Sequence, residues 1–142
     1  MLTIAQLLTA KGTLVLSISP DHTVLDALRL MAEHNVGALL IVEDGLPVGM
    51  LSERDYARKV VLAGRASVDT PVRRIMSTGI VHVTPGDTVE HAMTLMTRSR
   101  VRHLPVLDQG RVAGLVSIGD LVKATIDQQQ FVIERLEDYI RT

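Results

Sequence analysis

The chain has no cysteine, which excludes disulfide frameworks, thiolate nucleophiles and Cys-based zinc sites. Aromatic residues are nearly absent as well. Tyr56, Phe131 and Tyr139 are the whole set, too few to make a platform on which the bases of a single strand could stack. Neither sign of charge is in surplus: 15 Lys+Arg face 16 Asp+Glu, for a net charge of −1, which argues against nucleic-acid binding by phosphate neutralisation. No apolar run approaches the ~18–20 residues that cross a bilayer, and the longest clear one is Val36–Val42. The first residues, Met1 to Gln6, lack the basic n-region of a signal peptide and open directly into helix-like sequence. Together these absences lead us to expect no nucleic-acid partner, no membrane association and a cytoplasmic location. What is present is an aliphatic-rich chain of 142 residues, 46% hydrophobic and too apolar to be disordered.

The chain also carries an internal repeat, which constrains architecture more than composition does. At a constant offset of 65 (85 − 20), Pro20 falls on Pro85, Thr23 on Thr88, Val24 on Val89 and Ala27 on Ala92. Leu30-Met31 falls on Leu95-Met96, Val36 on Val101 and Leu39 on Leu104. Gly45, Gly49, Ser52 and Asp55 fall on Gly110, Gly114, Ser117 and Asp120. Each unit reads β-α-β-β-α. A short extended segment (Val15–Ile18; Ile80–Val83) ends in a Pro turn. A helix follows, with Val24, Ala27, Leu28 and Met31 at i, i+3, i+4, i+7, matched by Val89, Ala92, Met93 and Met96. Thr23 and Thr88 are its expected N-caps. Two strands come next, Ala38–Val42 with Val48–Leu51 and His103–Leu107 with Val112–Val116, joined by Asp44-Gly45 and Gln109-Gly110 turns. A second helix starts after Ser52 or Ser117. A short helix over Val72–Met76 leads into the second copy. The tail shows an apolar stripe, Val132, Leu136 and Ile140, which either closes its own module or covers a subunit interface.

The repeated Pro-x-x-Thr-Val, Leu-Met, Asp/Glu-x-Gly and Gly-x-x-Ser-x-x-Asp pattern resembles a tandem pair of CBS domains, a Bateman module. Its most specific parts are Gly49-Met50-Leu51-Ser52-Glu53-Arg54-Asp55 and Gly114-Leu115-Val116-Ser117-Ile118-Gly119-Asp120. The resemblance covers about residues 1–127, with Ser52–Val60 close to small stand-alone bacterial members and their plant-organelle relatives. It implies an α+β fold of two pseudo-symmetric repeats, 1–66 and 67–127, packed through their sheets, with a C-terminal amphipathic helix over 128–142. It also implies a regulatory rather than catalytic role, without a catalytic cofactor. The effector would be an adenine nucleotide (AMP, ADP, ATP or NAD) or another adenosyl compound, held in clefts between the repeats. Such pairs commonly form a flat homodimer and signal to a protein partner, here unidentified.

Apart from the resemblance, Ser-x-x-Asp lies where a strand passes into a helix. The Ser hydroxyl sits beside backbone N–H groups that lack intrahelical partners, and the Asp oxygens one turn on can accept from a ribose diol. The same residues also suit a plain N-cap with a favourable first-turn acid. Two copies at equivalent positions favour ribose-phosphate recognition. The resemblance then assigns Asp55 and Asp120 to ribose, and Ser52 and Ser117 to the phosphate. The adenine would lie against Thr13, Val15, Leu16, Gly37, Ala38 and Leu39 in the first cleft. In the second it would lie against Thr78, Ile80, Val81, Arg102, His103, Leu104 and Pro105. The cationic supply differs: Lys11, Arg54 and Arg58 serve the first cleft, while Arg102-His103 serve the second, where Gly119 replaces Arg54. The five histidines show no i, i+4 pairing, so no metal site is expected. A Ser117-His103-Asp120 triad has no oxyanion site to support it. The competing reading is a nucleotide-independent dimerisation scaffold.

Overall fold

The computed structural model describes residues 1–141 and shows the repeat as a repeated fold. Helix α1 (Ile4–Lys11) is followed by strand β1 (Ser17–Ile18), helix α2 (Val24–His34), strands β2 (Ala38–Glu43) and β3 (Leu46–Ser52), and helix α3 (Glu53–Tyr56). A π-helical turn (Ala57–Val61) and the short helix α4 (Val72–Ile75) lead to α5 (Val89–Ser99), β4 (His103–Asp108), β5 (Arg111–Ser117) and α6 (Ile118–Arg141). This is the expected α+β fold.

Local chemistry accounts for the boundaries. Thr23 closes a capping box with Asp26, and Thr88 accepts from the His91 N–H, so both expected N-caps are in place. Asn35 and Arg100, equivalent in the repeat, both end their helices in the left-handed region (φ 54° and 55°). In each hairpin the turn pair has positive φ at both residues, 53° and 78° at Asp44-Gly45 and 53° and 79° at Gln109-Gly110. That is the type I′ geometry matched to the twist of paired strands. The leading strands are shorter than expected. β1 makes two parallel rungs, Ser17 with Leu40 and Ile18 with Ile41. Its counterpart shrinks to one bridge, Val83 with Val106. Pro20 and Pro85, which cannot donate a ladder hydrogen bond, lie just downstream.

The spatial units are not the two halves of the sequence. Residues 1–14, 81–109 and 113–142 form one, and residues 15–80 with 110–112 form the other. The repeats read along the sequence and the spatial units therefore differ in the helix that leads into each repeat. Helix α1 leaves the first repeat because Ile4, Leu7 and Leu8 bury themselves with Val83, Val89, Ala92, Met96, Leu104, Val106, Val116 and Leu121. Backbone bonds hold it there, from Ile4 to the Asp87 carbonyl (2.8 Å), from Ala5 to that of Pro85 (2.9 Å) and from Val89 to that of Leu2 (2.9 Å). Reciprocally, α4 places Val72 and Ile75 in the core of Val24, Ala27, Met31, Leu39, Ile41, Leu51 and Val60. Val72 and Arg73 donate to the His22 and Pro20 carbonyls at 2.8 and 2.9 Å. Each unit thus takes the helix that precedes the other repeat in sequence.

The separate tail helix expected over 128–142 is not a separate element. α6 runs unbroken from Ile118 to Arg141, because no Pro and no Gly beyond Gly119 in its first turn interrupts good helix formers such as Ala124 and Gln128–Gln130. The last position of that expectation, Thr142, lies outside the described residues.

Candidate functional site

The two Ser-x-x-Asp motifs fold alike. In both, the last residue of a hairpin strand caps the following helix. Asp55 N–H donates to Ser52 Oγ at 3.1 Å, and Ser52 N–H returns a bond to Asp55 Oδ2 at 2.9 Å. In the second copy the distances are 3.1 Å to Ser117 Oγ and 2.8 Å to Asp120 Oδ2. The loop ahead of β2 or β4 is pinned in the same way: Glu53 N–H donates to the Gly37 carbonyl at 3.0 Å, and Ile118 N–H to that of Arg102 at 2.9 Å. The capping arrangement is therefore present in both copies, and it leaves one Asp oxygen edge available for a further partner.

Those partners differ. In the unit of residues 15–80, Asp55 Oδ1 accepts from Ser77 Oγ at 3.2 Å and pairs with Lys59 Nζ at 3.2 Å. Lys59 also donates to the Ile75 carbonyl at 3.1 Å. Ser77 is held against β3 by backbone bonds exchanged with Met50 at 3.0 and 2.8 Å. Gly49 permits that approach, since a Cβ there would lie 2.9 Å from the Ser77 carbonyl oxygen and from Met76 Sδ. In the other unit, Asp120 Oδ2 pairs with Lys11 Nζ at 2.6 Å, and the same ammonium group donates to the Leu115 carbonyl. Partial burial disfavours the charged Asp120 carboxylate. The Lys11 ammonium and the Ser117 N–H outweigh it and hold the carboxyl below the usual carboxylate range. His103, half-buried beside this group, is pushed down chiefly by burial, with Asp120 opposing and Lys11 and Arg102 assisting.

The expected assignment of flanking residues is corrected here. Lys11 does not serve the first motif but Asp120 of the second, because α1 packs with the second repeat. By the same exchange, the segment before the second repeat supplies Ser77 to Asp55, with Thr78 next to it. Lys11 and Thr13 thus fall in the unit of Asp120, Ser117, Gly119, Val81 and Arg102 to Pro105. Thr78 and Ile80 fall in the unit of Val15, Leu16, Gly37, Ala38, Leu39, Ser52, Arg54, Asp55 and Arg58. Within these sets Leu39 and Leu104 are fully buried core residues. Ala38 and Pro105 are buried, and Ala38 pairs directly with Ser52 across β2 and β3. Arg54, Arg58, Arg102, Gly119, Thr13 and Thr78 are exposed, and Val15, Leu16, Ile80 and Val81 half-buried. Ser77 and Lys59 were not anticipated, although Lys59 stands four residues after Asp55, the spacing of a helical ion pair.

Among the described residues, no three His, Cys, Asp or Glu side chains gather as metal ligands, and no helix is long and apolar enough to cross a membrane. The family model for the CBS domain matches this chain twice, at residues 14–62 and 72–127. The mitochondrial CBS domain-containing protein CBSX3 of Arabidopsis thaliana is 40% identical over 148 residues, covering 98% of this chain and 72% of that protein. A crystallised protein with CBS domains from Burkholderia ambifaria is 47% identical, with a TM-score of 0.86 over 89% of this chain and 96% of that one. At 20% identity, the CBS domain pair of protein MJ0100, solved with 5′-methylthioadenosine and S-adenosylmethionine, shares the fold (TM-score 0.78, 89% and 97% covered).

Proposed function

Because the chain belongs to the CBS-domain family, we propose that it is a regulatory module whose two Ser-x-x-Asp sites take adenosyl compounds of the AMP, ADP, ATP and NAD class. The observation that carries this reading is the Asp120 cluster, with its counterpart at Asp55. In each, a carboxylate fixed by a helix cap faces a lysine ammonium group that comes from a distant segment or the next helical turn. A ribose diol offers two O–H donors to such a carboxylate. It would replace the ammonium at Asp120 Oδ2, and Lys11, Arg102 and His103 would then be at hand for phosphate. At Asp55 the same exchange would release Lys59, with Arg54 and Arg58 exposed nearby on the same helical segment. Support for an adenosyl ligand also comes from the module of the same fold solved with two adenosyl compounds. Regulation follows because a ligand shifts a conformational equilibrium by its differential affinity for the two states. Here binding would exchange a lysine–aspartate contact for a ligand contact, and a protein partner would read the change.

The test is thermal stability with AMP, ADP, ATP, NAD and S-adenosylmethionine at about 1 mM each, on the wild type and on Asp55→Asn and Asp120→Asn. A ligand at roughly 100 times its dissociation constant adds about 2.7 kcal/mol. The expected outcome is a rise in Tm with at least one ligand, lost in one variant and kept in the other. The absence of a shift with any ligand in the folded wild type would overturn the reading and leave the scaffold alternative.

A further inference from the structure

Helix α6 outgrows the fold it starts from. Its first turns pack against α5 and α1, with Leu121 fully buried. From Ile126 to Arg141 every residue is exposed. That stretch is not a polar tail, since Ile126 is 57% exposed, Ile133 48%, Leu136 57% and Ile140 80%. Most of a helix's stability in a protein comes from packing its apolar face, and apolar side chains at such spacing need a cover.

The spacing specifies the cover. Val122, Ile126, Gln129, Ile133, Leu136 and Ile140 alternate by four and three residues, the period of a two-stranded coiled-coil seam. Phe131 lies off this seam, with the Arg135 guanidinium 5.4 Å from its ring centre. Beside the seam, on one flank, stand Lys123, Gln130 and Glu137, and on the other Thr125 and Val132. Neither Lys123 nor Glu137 takes part in an ion pair among the described residues.

We infer that α6 pairs with α6 of a second copy of this chain, antiparallel, with Ile126 opposite Leu136 of the partner copy. In that register the seam pairs are Val122 with Ile140, Ile126 with Leu136 and Gln129 with Ile133, each occurring twice about the dyad. Lys123 of each copy then meets Glu137 of the other, Gln130 meets Gln130, and Val132 meets Val132 on the dyad. A parallel pair forfeits both ion pairs and sets Val132 against Glu137, so charge and hydrophobic complementarity select the antiparallel arrangement. The overlap, from Val122 to Ile140, is about 28 Å long at 1.5 Å per residue. This inference does not depend on nucleotide binding.

The absence of cysteine makes the test direct, because a single introduced thiol reports alone. Full-length Val132→Cys, treated with a short bis-maleimide, is expected to cross-link to itself. Ile126→Cys should not, since the two copies of that position lie about 15 Å apart along the antiparallel pair. An equimolar mixture of Ile126→Cys and Leu136→Cys should cross-link. Gln128→Cys, off the seam, sets the background. Self-linking of Ile126→Cys would overturn the orientation, and no Val132→Cys product above that background would overturn the pairing. Lys123→Glu should reduce the Val132→Cys product several-fold and Glu137→Lys added to it should restore the product. Failure of that restoration would remove the charge argument.

Discussion

The ammonium group of Lys11 occupies Asp120 Oδ2 and the Leu115 carbonyl together, so the loss of this one side chain has two readouts. The first concerns ligand choice. Lys11→Met frees the carboxylate for a ribose diol but removes a cation from the phosphate side. The expected result by calorimetry is about a tenfold loss of affinity for AMP, or about 1.4 kcal/mol, with adenosine unchanged or tighter. An equal loss for both would mean that Lys11 only shapes the site. The second concerns pH. Asp120 titrates below its ordinary value when folded. The stability it contributes is therefore complete above the ordinary carboxylate pKa and is lost only as pH falls through the lower folded value. In Lys11→Met the folded value returns toward the ordinary one, so this contribution disappears: the variant should be slightly less stable at neutral pH, and its Tm should fall less than that of the wild type as pH drops through the carboxylate range. Both side chains are partly exposed, at 34% and 26%, so solvent screening keeps the effect small.

At the scale of elements, the glycines of the two hairpins make a contrast that a pair of substitutions can measure. Gly49 and Gly114 are equivalent in the repeat, and both sit where another segment crosses β3 or β5. A Cβ at Gly49 would press on the Ser77 backbone carbonyl at 2.9 Å, and that carbonyl is fixed by its bond to Met50. A Cβ at Gly114 would press on Leu8 Cδ2 at 2.8 Å, the tip of a side chain that can change rotamer. Gly49→Ala should therefore destabilise by about 1–3 kcal/mol, and Gly114→Ala by clearly less, measured by urea unfolding. Equal costs would show that the crossing at Leu8 is as rigid as the one at Ser77. Much at this scale was legible beforehand. The i, i+3, i+4 pattern and Thr caps marked α2 and α5, and Gly after Asp44 or Gln109 marked the turns, because those signals act within a few residues. The Ser52–Asp55 and Ser117–Asp120 clusters were legible for the same reason. What was not legible was which repeat each leading helix joins. The stripe Ile4, Leu7, Leu8 fits an apolar face of either repeat, and nothing local distinguishes two faces made by the same motif. On that account the sequence pattern places Lys11 with the first motif, whereas its ammonium group pairs with Asp120, and the pattern carries no sign of the Ser77 contact to Asp55.

At the scale of the whole molecule, the exchange of α1 and α4 means that deleting sequence at one end should damage a repeat encoded far from it. Removal of residues 1–11 takes Ile4, Leu7 and Leu8 out of the core built on α5, β4, β5 and the start of α6. At roughly 1.5–3 kcal/mol for each buried side chain, the loss is on the order of 5–9 kcal/mol, an upper estimate. That is comparable with the total stability of about 5–15 kcal/mol typical of a domain. The core of Val24, Ala27, Met31, Leu39, Ile41, Leu51, Val60, Val72 and Ile75 receives nothing from α1. Hydrogen exchange on the shortened chain should therefore show protection collapsing across α5, β4 and β5, while α2, β2 and β3 keep much of theirs. Collapse confined to α2, β2 and β3 would return α1 to the repeat it precedes. Full protection in both would mean that the α5, β4 and β5 core closes without α1.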